Sequence, residues 1–104
     1  MYYRVTAQLK KDTAADLHRK LTDGTIQAQK PDGGEIVSSM NRAVLQDDGS
    51  VAWSELCYCP TPLAHERATV LDHHFDDMTT EEIASHEDYE GAPFMEHLAR
   101  LAEA

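Results

Sequence analysis

The sequence predicts an α+β fold: an antiparallel sheet of about four strands with helices packed on one face. Three observations carry this expectation. Tyr2 to Leu9 alternates, with Tyr3, Val5, Ala7 and Leu9 on one side and Arg4, Thr6 and Gln8 on the other, the period of a half-buried strand. Two strand-like runs, residues 43–46 and 51–59, flank Asp47-Asp48-Gly49-Ser50, a turn whose glycine accepts positive φ, so they form a hairpin. Between and after these strands, apolar residues recur at helical spacing. Strands at both ends of a helical insertion, with a tight hairpin, make an antiparallel sheet carrying helices.

Taken in order, the first strand is followed by a helix that Thr13 opens, with Asp16 three residues on. Ala14, Leu17, His18 and Leu21 fall on its one face, and Asp23-Gly24 stops it. Residues 25–34 read as loop. Ile36, Val37, Met40 and Val44 then recur at 3.6-residue spacing behind an Asp32 and Glu35 capping pair, which predicts a short second helix. After the hairpin, Pro60-Thr61-Pro62 ends the strand, because proline donates no ladder hydrogen bond, and a short helical turn runs through His65. Residues 67–75, with β-branched Thr69 and Val70, are read as a fourth strand in preference to a longer helix. Thr79-Thr80-Glu81-Glu82-Ile83 carries a capping-box pattern and predicts a helix; Phe94, Leu98 and Leu101 share one face of another.

The chain of 104 residues is expected to be a single domain, 1–104, with a sheet-and-helix core over 1–78 and acidic C-terminal helices over 79–104. Its element order loosely resembles the ferredoxin-like sandwich, a resemblance that names no activity.

Nine Lys and Arg stand against nineteen Asp and Glu, a net charge of −10. The imbalance is local: residues 72–104 hold Arg100 alone against ten acids. Such a field repels phosphate backbones and anionic lipid, so neither nucleic acid nor membrane is an expected partner. A basic protein partner and self-association remain. No stretch is apolar enough for a membrane span or signal segment, and Cys57 and Cys59 are too few for a disulfide framework. Reduced thiols and a cytoplasmic address follow as expectations.

Residues 51–59 carry apolar groups on both faces: Ala52, Leu56 and Tyr58 on one, Val51, Trp53, Cys57 and Cys59 on the other. In a chain too small for two helical layers, the Trp53 face is expected to meet a second subunit or a ligand, the competing reading being that loops or the acidic C-terminal helices cover it. Glu55 lies on that face, an Arg4 to Glu55 ion pair follows from the register, and Asp72 with His74 on the fourth strand completes a pocket floored by Trp53. The competing reading makes these residues surface charge pairs.

Cys57 and Cys59, at i and i+2 of a strand, lie about 7 Å apart at their α-carbons, close enough to share one metal ion. With His65 and His73 or His74 they make a soft donor set suited to zinc or Cu(I). Two core thiols are the competing reading, and the CxC spacing is unlike a zinc knuckle. Nucleophilic catalysis would need one of these histidines as base, and no phosphate loop, GxSxG or HExxH motif appears. The expected function is a homodimeric binding or interaction protein; the alternative is a small enzyme or metal-binding protein using Cys57, Cys59 and the nearby histidines.

Overall fold

The computed structural model describes residues 1–103. Five antiparallel strands form one sheet: β1 (Tyr2–Leu9), β2 (Val44–Leu45), β3 (Val51–Leu56), β4 (Phe75–Ile83) and β5 (Ala92–Pro93), in the order β4-β1-β3-β2-β5. Four helices accompany it: α1 (Ala14–Thr22), α2 (Gly33–Arg42), a composite α3 and α4 (Phe94–Glu103). The first four strands keep the split βαβ order, and β5 adds a short edge beside β2.

Alternation in β1 does what its period requires. Tyr3, Val5 and Ala7 are buried beneath the helices, and their partners on β3 are Glu55, Trp53 and Val51. Directly opposed residues of an antiparallel pair share a face, so Trp53 and Glu55 also point inward. Trp53 is fully buried against Phe75, which in turn meets Phe94 of α4. The expected open face around Trp53 is therefore closed by this chain's own helices. The inference of a subunit contact there loses its basis, because the second apolar layer is α4 and not a partner.

The opposite sheet face is covered by the segment between β4 and β5. The Ser54 hydroxyl lies 2.8 Å from His86 Nδ1, Tyr2 meets the His86 ring edge-on, and the Arg4 guanidinium sits over Tyr89. Arg4 is opposite Ser54 on one side and Glu81 on the other, so the expected Arg4 to Glu55 ion pair does not form. The two side chains are on opposite faces of the sheet.

Residues 67–75 also depart from the expectation. Ala64–Glu66, a π-helical turn at Arg67–Leu71 and Asp72–His74 run as one helical segment, α3, and β4 begins only at Phe75. Burial explains the preference: Leu63, Glu66, Val70, Leu71 and His74 all face the interior, a helical and not an alternating pattern. Residues 79–83, expected as a helix, are the far end of β4, whose ladder with β1 runs from Phe75 opposite Leu9 to Ile83 opposite Tyr2. Long-range pairing outweighs the local capping pattern there.

The hairpin forms as expected, with Gly49 at φ 88 in the turn and Asp48 Oδ1 accepting from Ser50 N. Its β2 arm is short, however, meeting β3 only at Val51 and Ala52. The remaining β3 edge is completed by side chains of α2: Arg42 Nη2 donates to the Ser54 carbonyl (2.9 Å) and Glu35 Oε2 accepts from Leu56 N (2.9 Å). Satisfying these buried backbone groups fixes α2 beside the end of β3. Gly33 at the start of α2 sits so close to the loop that an added Cβ would stand 2.0 Å from the Ile26 carbonyl oxygen, which holds Asp32 at the same end.

Candidate metal centre

Past Leu56 the chain leaves the sheet, and here α2, residues 57–59 and the start of α3 enclose a cavity of about 320 Å³. Backbone bonds pin its floor: Cys57 N donates to the Met1 carbonyl (2.8 Å) and the Met1 amino group to the Cys57 carbonyl (3.0 Å). Cys57 is buried and Cys59 half-buried. Leu63 takes the left-handed conformation (φ 57, ψ 22) immediately before α3, a strain of about 1 to 3 kcal/mol that its complete burial offsets. That turn brings His65 and Glu66 over the two cysteines.

Donor atoms of Cys57, Cys59 and Glu66 all lie within 4.8 Å of one another, and so do those of Asp32, His65 and Glu66. Glu66, almost fully buried, belongs to both sets. The Cys59 thiol donates to Glu66 Oε1 at 3.4 Å, Cys59 N donates to Cys57 Sγ at 3.2 Å, and Asp32 Oδ2 is 2.7 Å from His65 Nδ1. Beneath them lies Glu55, completely buried: its Oε1 accepts from Trp53 Nε1 at 2.7 Å, while its Oε2 has no hydrogen-bond partner.

Burial sets the electrostatics. It pushes the Cys57 thiol up to about 12, so without a cation this sulfur stays protonated and is no thiolate nucleophile. Glu55 is raised well above the usual carboxyl range, first by burial and then by the neighbouring Glu66 and Glu35 carboxyls, against the lowering hydrogen bond from Trp53. A protonated carboxyl is the state such burial favours.

Of the residues singled out from the sequence, Cys57, Cys59 and His65 meet at this cavity, and Glu55 lies just below it. Trp53 is sealed in the core instead of lining a pocket. His73 is exposed on α3, away from the sulfurs, and Asp72 pairs with Arg67 Nε (2.8 Å). His74 is buried beside Thr13 at the other end of α3, so Asp72, His74 and Trp53 do not form a common site. The reason is the helical geometry of 64–74, which sends His65 and Glu66 to one end and His74 to the other.

Sequence reasoning missed Asp32, Glu35 and Glu66. The first two match a capping pair, yet Asp32 makes no side-chain cap and turns to His65, while Glu35 reaches across to β3. Glu66 did carry a signal: Leu63, Glu66 and Val70 are spaced as one helical stripe, and an acid within an apolar stripe marks a buried polar site. No protein-family model, curated protein or solved structure matches the chain in the comparisons made.

Proposed function

We propose that this is a metal-binding protein that holds a zinc-class ion on Cys57, Cys59 and Glu66. One observation carries the reading: two thiols and a buried carboxylate converge within 4.8 Å at the floor of a cavity. Tetrahedral zinc with bonds of about 2.3 Å to sulfur and about 2.0 Å to oxygen separates a sulfur and an oxygen ligand by about 3.5 Å. Cys59 Sγ and Glu66 Oε1 are already 3.4 Å apart. The cation would also supply what burial denies, stabilising both thiolates as their protons leave. A carboxylate beside two thiolates favours Zn²⁺ over the softer Cu(I), and the N–H of Cys59 directed at Cys57 Sγ supports a thiolate from the second shell of contacts.

Protein purified without chelator should carry zinc in stoichiometric amount by elemental analysis. Cys57→Ser and the less buried Cys59→Ser should each lose it while remaining folded by circular dichroism. Metal-free wild type that also fails to take up added Zn²⁺, or Cys variants that bind as much of it as the wild type, would refute the proposal.

A further inference from the structure

We infer that the cavity holds two divalent ions bridged by the Glu66 carboxylate, one on Cys57 and Cys59 and a second on Asp32 and His65. This rests on the zinc reading above and extends it. The two donor sets are distinct: each closes to within 4.8 Å internally, they share only Glu66, and the five donors do not close into a single group. A carboxylate has two oxygens and can serve two ions at once.

Charge balance favours the second ion. With Cys57 and Cys59 as thiolates and Glu66 and Asp32 ionised, one divalent cation leaves two negative charges in a partly enclosed space of low dielectric, whereas two cations cancel all four. The other carboxylate nearby is already compensated, since Glu35 Oε2 is 3.2 Å from Arg42 Nη2. One buried carboxylate oxygen of the second donor set, Asp32 Oδ1 beside His65, lacks a hydrogen-bond partner among the described residues. An unpartnered acceptor beside a cavity fits a site completed by a cation.

The geometry needs little change. Asp32 Oδ2 and His65 Nδ1 are 2.7 Å apart through their hydrogen bond, and two ligands of one tetrahedral zinc are about 3.3 Å apart. The imidazole would withdraw by about half an ångström, and its side chain is 41% exposed and free to do so. The harder nitrogen and oxygen donors leave coordination positions open toward the cavity, where water binds.

Zn²⁺ titration of the chelator-stripped full chain, with bound metal counted after equilibrium dialysis, tests this directly. Wild type should saturate at two equivalents. Asp32→Asn combined with His65→Gln, and His65→Gln alone, should each saturate at one, and after Co²⁺ loading both should keep the sulfur-to-cobalt absorption. Wild type saturating at one equivalent with that absorption present overturns the second ion and leaves the zinc reading standing. Two equivalents retained in His65→Gln and the double variant also overturn it. Absence of uptake overturns both readings.

Discussion

Trp53→Ala should destabilise the protein by about 3 to 5 kcal/mol, the cost of removing a buried aromatic from a core that cannot fully collapse around the void. Trp53 is fully buried, with its ring 5.3 Å from Phe75, which leads to Phe94 of α4. The substitution therefore removes one member of the aromatic row that links the sheet to the final helix. Domains of this size are stable by only about 5 to 15 kcal/mol, so the loss takes a large share of the total. A second consequence is polar: Glu55 Oε1 loses its donor, and an orphaned buried acceptor costs about 1 to 3 kcal/mol. Trp53→Phe removes the indole N–H with the pyrrole portion but keeps a six-membered ring in the core, so it leaves a smaller void than Trp53→Ala. Urea midpoints should fall in the order wild type, Trp53→Phe, Trp53→Ala. Equal midpoints for wild type and Trp53→Ala would show that Trp53 does not anchor the core.

Acid should destabilise the fold through His74, far from the cavity. The Thr13 hydroxyl donates to the Lys10 carbonyl (2.9 Å), so at 2.9 Å from Thr13 Oγ1 the His74 Nδ1 is the donor and its Nε2 carries a bare lone pair. Nε2 has no hydrogen-bond partner among the described residues, and Asp16 Oδ2 stands 3.9 Å away. Burial lowers the His74 pKa to about 4, helped by the cationic Lys20 and Lys10 and by His73, against Asp16, which raises it. An unfolded histidine titrates near 6.5, so the unfolded chain binds the proton first as pH falls. This contribution to stability is complete above about pH 6.5, declines toward pH 4 and amounts to about 3 kcal/mol. His74→Gln removes the titration. The stability gap between wild type and this variant should therefore narrow from pH 7 to pH 4, and a constant gap would show that His74 does not become protonated on unfolding.

Local patterns were readable where a segment's own period decides its structure. The alternation of β1, the turn around Gly49 and the apolar stripes of α1, α2 and α4 each match the fold. Segments settled by distant contacts were not readable. Thr79-Thr80-Glu81-Glu82 has the local chemistry of a helix start, but its backbone pairs with β1. Thr69 and Val70 favour a strand by propensity, yet Leu63, Glu66, Val70 and His74 bury one helical face. The candidate centre divides in the same way. Cys57, Cys59 and His65 are close in sequence and chemically conspicuous, whereas Asp32 is distant in sequence and meets His65 only in the folded chain. The error over Arg4 and Glu55 is one of face parity: a shift of a single residue in strand pairing moves every side chain to the other side of the sheet.

Zinc-edge X-ray absorption of the zinc-loaded protein tests the central claim most directly, because it reads the ligand shell itself. Ligation by Cys57, Cys59 and Glu66 predicts, in the wild type, a sulfur shell near 2.3 Å together with oxygen or nitrogen near 2.0 Å. A shell of oxygen and nitrogen alone in the wild type would contradict it.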